Sequence, residues 1–531
     1  MDKFKNNEPI IILSGFIFCV LVSLRFVSHD DYAYVWDDKM FWNQFEWICS
    51  TIDDSFLKGL ATVLDGVRKD DYNPIATSLL YPAYGFFGGN RYVFVSAICS
   101  IYITATSFVI GKSACYYSRD NKKNVFLLAF ISSILLTTFW RPSLHGLPDM
   151  LSGFFVSVAI YIAITTKNSQ PYIKRAILMG LFLWLAFATR RWIAFSVVSL
   201  YLSIFIFKLT SKEDGYGLKQ QIRDTVLFSC IAGVTSIFML IVFQHSLVMK
   251  ILSTSYSSAY SAYQWGLSKS ISIFISNFGF IMFPLPIVSF FYSIFKRNKE
   301  YTILSAFGIF NIIITFLFFS QTQSPSIQHL IPYGVYYLIS IIPLIIYIAN
   351  LKTLFFIYML FCALTFYIPV IIQKSLPLFP EKVSNFKLNN YNNYIEMISE
   401  IEHLTSDGAT FSVLGSSTKF TDDLFRTISK NKLNNRLIKT AQVDARDGLN
   451  TNFTKSNFII VATPIQLHLN GGQEIVRVPA SQILSGEGIG KFYKYTGKHY
   501  QIANGATAKI FKRIEEIPQS QVDDMLKEIK P

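Results

Sequence analysis

Four short stretches carry side chains that acid–base or phosphate chemistry requires and that a plain apolar span does not. Ser28-His29-Asp30-Asp31-Tyr32-Ala33-Tyr34 presents two adjacent carboxylates directly after an apolar run. A carboxylate at a membrane surface suits general-base work, because partial desolvation and nearby charge tune its pKa; an Asp pair also commonly opens a helix, and both readings stand. The turn Trp140-Arg141-Pro142-Ser143-Leu144-His145-Gly146-Leu147-Pro148-Asp149 breaks a helix with Pro and Gly and sets Arg141, His145 and Asp149 on one side. Asp149 is either a cap for the next helix or a site carboxylate. Thr189-Arg190-Arg191-Trp192 puts two arginines in a tight turn. Guanidinium forks bind phosphate bidentately, so a lipid phosphate or pyrophosphate is one reading and snorkelling to headgroups the other. In Gln321-Thr322-Gln323-Ser324-Pro325-Ser326-Ile327-Gln328-His329, Gln328 and His329 suit hydrogen bonding to a sugar or a phosphate. A lone histidine there is more often structural, which makes this the weakest of the four signals.

The elements that must position these groups are apolar helices. With 51% hydrophobic and 15% charged residues in 531, the chain has too little polar surface to cover itself in water. Apolar blocks fall at 9–27, 92–111, 125–140, 150–166, 176–189, 192–207, 225–243, 273–295, 303–319, 330–349 and 353–373, near the length that spans roughly 30 Å of hydrocarbon. About eleven spans are therefore expected. With the N-terminus in the cytoplasm, the loops on that side hold 17 Lys and Arg and the short loops opposite hold five, which is the bias of the positive-inside rule. That places the C-terminal part outside the cytoplasm. Lys3 and Lys5 before the first apolar run resemble a signal sequence, but no small-x-small site follows, so an uncleaved span is expected.

Charge and cysteines narrow the class further. The net charge of +14 is spread as small clusters between spans rather than as one basic face, which argues against nucleic acid. The six cysteines are scattered without C-x-x-C spacing, so neither a disulfide framework nor a zinc site is expected. The acidic pairs are of a type that binds Mg²⁺ or Mn²⁺, yet no fixed ligand set is legible, and no metal residue is assigned.

Two regions depart from simple spans. The first outer loop, 28–91, is far longer than joining two helices requires, and it interleaves the pairs Asp30-Asp31, Asp37-Asp38, Asp53-Asp54 and Asp70-Asp71 with Tyr32, Trp36, Phe41, Trp42 and Trp47. Residues 39–48 and the set Phe56, Leu60, Val63 and Leu64 read as amphipathic helices lying on the membrane. After Pro377 the pattern changes to a small α/β domain: helices over Tyr394–Leu404 and Thr421–Lys430, strands over Thr410–Leu414 and Phe458–Pro464, and a hairpin around Asn504-Gly505. The run Gly486-Glu487-Gly488-Ile489-Gly490 lacks the strand–turn–helix setting of a nucleotide site and reads as an ordinary loop. The expected domains are thus 1–376, transmembrane, and 377–531, soluble and extracytoplasmic.

An acidic and aromatic first loop opening on Asp30-Asp31, then Asn73-Pro74 and Tyr81-Pro82 before the second span, and Asp149 at the start of the fourth together resemble the GT-C integral-membrane glycosyltransferases, such as protein O-mannosyltransferases and aminoarabinose transferases. The resemblance covers the pattern of residues 1–350. It implies transfer of a sugar from a polyprenyl-phosphate donor to a glycan, lipid or protein acceptor on the outer face. It also implies a catalytic carboxylate at Asp30 or Asp31, a second acidic position at Asp149, and a basic position at Arg190 and Arg191 by the carrier phosphate; the residue types at Arg141, His145, Gln328 and His329 add further expected donor contacts. The tail departs from the family in lacking a recognisable MIR-type carbohydrate module. A transporter or flippase would carry ionisable residues at midspan, which these spans almost lack; an O-antigen-type polymerase would carry Arg-rich outer loops. A structural membrane protein whose tail recruits partners is a third rival. Lys-, Asn- and Ile-rich usage and the lack of an endoplasmic-reticulum retention signal suit a bacterial inner membrane.

Overall fold

The computed structural model describes residues 8–211 and 216–529, so Lys3 and Lys5 lie outside the described residues. The chain divides into two compact units. The first comprises 8–28, Phe41–Ser255 and Gly266–Ser384; the second comprises His29–Met40, Tyr256–Trp265 and 385–529.

Helices occupy every apolar block of the first unit. Among the described residues six are long and apolar enough to cross a membrane by themselves: Glu8–Val27, Arg91–Tyr117, Arg191–Thr210, Leu218–Ser253, Lys299–Ser320 and Lys352–Ile371. The blocks at 125–140 and 330–349 are bent pairs, Lys122–Ile134 with Thr137–Leu144 at 43° and Gln328–Ser340 with Ile342–Ala349 at 47°. Counting each pair as one span raises the number to eight, and Met150–Thr165 and Leu285–Phe295 are shorter apolar helices. The chain is a multi-pass membrane protein.

In lipid, helices associate through close packing and interhelical hydrogen bonds, because tails compete equally well for apolar surface. Two glycines do this here. A Cβ on Gly180 would lie 2.3 Å from the Ala232 carbonyl oxygen, and one on Gly308 2.5 Å from that of Tyr336, so these backbones touch only because no side chain intervenes. Serines add polar links, including Ser23 Oγ to Ser96 Oγ at 2.9 Å and Ser305 Oγ to the Ser340 carbonyl at 2.8 Å. The 36-residue helix Leu218–Ser253 breaks its regular backbone at Gln244, whose side-chain oxygen accepts from Trp184 Nε1 at 3.0 Å.

In the second unit, strands β1 (Phe411–Leu414), β2 (Ser416–Ser417), β3 (Phe420–Thr421), β4 (Phe458–Thr463), β5 (Tyr493–Gln501) and β6 (Thr507–Arg513) form a four-stranded sheet in the order β1-β4-β6-β5 and a two-stranded ribbon β2-β3. β1 and β4 are parallel, and the remaining sheet neighbours are antiparallel. β4 is buried on both faces, as its unbroken apolar run predicts. Phe458, Ile460 and Ala462 join Tyr394, Met397, Ile398 and Ile401 of the Tyr391–Leu404 helix, while Ile459 and Val461 join Ile475, Val476 and Ile483 of the Glu474–Ser485 helix. Gly486 closes the latter helix in a left-handed conformation, a C-terminal cap. Ala33 and Val35 of the first outer loop belong to the core of this unit, with the Tyr34 carbonyl accepting from Thr427 Oγ1 at 2.6 Å.

Asp422, which opens the helix Asp422–Ile428, is buried in this unit. Its Oδ1 accepts from Thr421 Oγ1, Asp423 N–H and Gln442 Nε2 at 2.8–3.0 Å. Burial, and then the adjacent Asp423 charge, push its pKa up to about 6. The protonated form therefore stabilises the fold fully below about pH 4, the unfolded pKa, and that contribution is lost as pH rises through 6. An Asp422→Asn variant keeps the Oδ1 acceptor and is expected to abolish this dependence. Hydrogen exchange of β1 and β3 amides should slow on acidification from pH 6.5 to 4.5, after correction for intrinsic rates, in the parent alone. The expected difference is of order 2 kcal/mol.

Candidate active site

The ends of the apolar helices position the charged groups of the first unit. The helix Ile173–Thr189 stops at Arg190, whose extended backbone (φ −152°, ψ 120°) caps it through N–H to the Ala186 carbonyl, and helical structure resumes at Arg191. One extended residue sends the two guanidinium groups to different partners. Arg190 Nε lies 2.7 Å from Asp149 Oδ1, with side-chain exposures of 6% and 0%, so this pair is closed to solvent. The guanidinium is covered by Tyr72 and Phe41, with ring centres at 4.6 and 5.0 Å. Asp149 precedes the Met150–Thr165 helix yet makes no side-chain cap hydrogen bond; its carboxylate goes to Arg190.

Arg191 Nη1 pairs with Asp71 Oδ2 of the first outer loop, and Lys250 Nζ approaches the same oxygen at 3.4 Å. The loop is fixed against the helix end by Asn73, whose Nδ2 donates to the Ala188 carbonyl at 2.6 Å while its Oδ1 accepts from Ile75 N–H at 3.2 Å. Two cations thus share one carboxylate, and the Lys250 side chain is half exposed. Neither Asp71 nor Lys250 stands out in the sequence as a site residue. The available signals are one of four similar Asp pairs and a lysine between two apolar blocks, in a segment that the charge bias of the loops assigns to the lysine-poor side.

The other expected site residues of this unit, Arg141, His145, Gln328 and His329, have protein partners. Arg141 Nη1 donates to Asn277 Oδ1 at 2.6 Å and pairs with Glu381 Oε2 at 2.9 Å. His145 Nε2 lies 3.2 Å from the Ser384 carbonyl, and the His145 carbonyl accepts from Arg91 Nη2 at 2.7 Å. Its enclosure, then the charges of Arg141 and Arg91, push the His145 pKa down to about 3, so the ring is neutral and donates from Nε2. His329 Nδ1 accepts from Ser326 N–H at 2.9 Å, and its ring packs on Trp192 and Phe319 at 4.8 and 4.6 Å. Gln328 Oε1 accepts from Ser326 Oγ at 2.6 Å. His329 therefore sits beside the residue that follows Arg191.

Asp30 and Asp31 belong to the second unit, where they grip the chain at 385–388. Asn385 Nδ2 and Phe386 N–H donate to Asp30 Oδ1, both at 3.0 Å, and Tyr34 Oη lies 3.4 Å from Oδ2. Leu388 N–H donates to Asp31 Oδ2 at 2.7 Å, and Asp31 N–H donates to the Phe386 carbonyl at 2.7 Å. Asp31 stays partly exposed. Among the described residues no three of His, Cys, Asp and Glu converge to hold a metal ion.

Helix order, the loops that carry these carboxylates and the mixed-sheet unit after the last apolar helix together give the chain a fold similar to that of a solved membrane protein. ArnT from Cupriavidus metallidurans, solved with undecaprenyl phosphate bound, superposes with a TM-score of 0.50 at 12% identity, over 94% of this chain and 97% of that one. The Archaeoglobus fulgidus oligosaccharyltransferase aligns at 0.46 in its apo form and 0.47 tethered to an acceptor peptide. Identities are 11% and 10%, over 93% and 94% of this chain and 74% of that one. No protein-family model matches the chain, and no curated protein sequence does.

Proposed function

We propose that this protein is a membrane glycosyltransferase that moves a sugar from a polyprenyl-phosphate-linked donor to a glycan, lipid or protein acceptor on the outer face of a bacterial inner membrane. The reading is supported above all by the meeting of two cations, Arg191 and Lys250, at Asp71 in a fold similar to that of ArnT, which was solved with undecaprenyl phosphate bound. A base takes the proton from an acceptor hydroxyl, the hydroxyl oxygen bonds to the anomeric carbon, and the bond from that carbon to the phosphate oxygen breaks. The departing polyprenyl phosphate gains negative charge, which cations fixed in advance stabilise without reorganising at the moment of reaction. Arg191 and Lys250 take that role, with Arg190 held by Asp149 to keep the turn in place. For the base, the candidate that the GT-C resemblance of the sequence gives is Asp31: one oxygen is anchored by Leu388 N–H, and the group is partly exposed. The second unit lies outside the cytoplasm.

Arg191 tests the phosphate assignment. Loss of a charge-assisted fork is expected to raise donor KM and lower kcat together, by ~10- to 150-fold in kcat/KM for Arg191→Ala. Arg191→Lys, which keeps charge and loses the fork, should fall between that and the parent. Membranes assayed with a polyprenyl-phosphate sugar provide the measurement. Unchanged donor KM and turnover in Arg191→Ala and Lys250→Ala would remove this site.

A further inference from the structure

The second unit carries an aromatic ladder that the transfer chemistry leaves unused. Tyr256, Tyr260 and Tyr263 recur at helical spacing, and their rings follow one another at 6.3 and 5.9 Å. His468 continues the line 5.9 Å beyond Tyr263, and Trp36 ends it 4.9 Å beyond His468. Hydrogen-bonding groups flank the rings. Arg446 Nη1 donates to Tyr263 Oη at 2.9 Å, His468 Nε2 lies 3.3 Å from the same oxygen, and Trp36 Nε1 donates to Gln442 Oε1 at 2.9 Å. Trp36 has a positive φ of 50°, costly for a bulky residue, and is held there by Asp423, which accepts from its backbone N–H at 3.2 Å. Such strain persists only where the surroundings over-determine it, and it concentrates at binding sites.

We propose that this ladder is a glycan-binding track, which takes a neutral, hydroxyl-rich oligosaccharide through ring-to-sugar stacking, with hydrogen bonds from the flanking polar groups. Rigid aromatic side chains with a polar tip supply large contact area at low entropic cost, and a run of them favours an elongated ligand over a compact one. Ser257, Ser258 and Ser261, between the tyrosines, add exposed polar positions. A membrane surface is the competing occupant for outer-loop aromatics, since Tyr and Trp gather at headgroup depth. The polar partners of Tyr263, His468 and Trp36 favour the glycan. The inference extends the proposed transfer by giving the acceptor a class, but it is tested without donor or turnover, so either can fail alone.

Full-length protein in phosphatidylcholine nanodiscs is titrated with chitohexaose, cellohexaose and maltohexaose and the matching disaccharides, following tryptophan fluorescence and calorimetry. Binding of at least one hexasaccharide is expected, at least tenfold tighter than its disaccharide. Tyr260→Ala and Tyr256→Ala should each weaken it about tenfold in protein that remains folded at the titration temperature. Tyr260→Phe, which keeps the ring, should retain it. No response to any hexasaccharide, affinity unaltered in the alanine variants, or quenching of Trp265 by brominated-acyl lipid with no glycan response would each overturn the proposal.

Discussion

An Asp31→Asn variant is expected to lose ~10²- to 10⁴-fold in sugar transfer, the usual contribution of a general base, while reaching the membrane in parental amounts. The substitution separates chemistry from architecture. Asn retains an oxygen able to accept from Leu388 N–H, so the contact that ties residue 31 to the chain at 388 survives, and only the negative charge and basicity disappear. Asp30→Asn should have a smaller effect on turnover, because Asp30 Oδ1 already serves two donors and Oδ2 faces Tyr34. Single-turnover transfer with a preformed donor complex measures the step directly. Full activity in Asp30→Asn, in Asp31→Asn and in the double variant would exclude both as the base and move the search to Asp71.

Breaking the Asp149–Arg190 pair is expected to cost stability first and activity as a consequence. Both side chains are nearly sealed from solvent, so Arg190→Ala takes a cation away from a buried carboxylate, a loss of about 3–5 kcal/mol. Replacing both partners by apolar residues of similar volume, Asp149→Leu with Arg190→Met, removes both charges and should restore most of the thermal midpoint. Transfer should stay depressed in the double variant, because the turn that presents Arg191 is no longer held by an ion pair. Unfolding of detergent-solubilised protein, read beside donor KM and kcat, distinguishes these outcomes. Parental turnover in the stable double variant would show that the pair serves stability alone and would overturn its role in holding the turn.

The helices of the first unit are legible because hydropathy is a local property: helix lies in each apolar block from 9–27 to 353–373, although the block 273–295 is interrupted at 279–284 between Leu267–Phe278 and Leu285–Phe295. The bends are less legible, since Leu135-Leu136 and Ile341 are apolar like their neighbours and a hydropathy window passes over them. In the second unit, the short strand Thr410–Leu414, the buried strand from Phe458 and the hairpin at Asn504-Gly505 correspond to β1, β4 and β5-β6, because run length and turn residues carry that information.

Composition and the spacing of apolar blocks by themselves determined that this chain lives in a membrane, where its helices fall, and that carboxylates and arginines lie at their ends. Only the tertiary structure decided who meets whom. Arg190 and Arg191 are neighbours in sequence, yet one extended residue sends the first to Asp149 and the second to Asp71, 120 residues away. Residues 29–40, consecutive with the first span, fold into the core of the second unit through bonds to 385–388 and 427. Local pattern reports what each segment prefers to bury, whereas ion pairs and backbone hydrogen bonds between distant segments form only when packing brings them within about 3 Å, and no property of either segment alone encodes that partner.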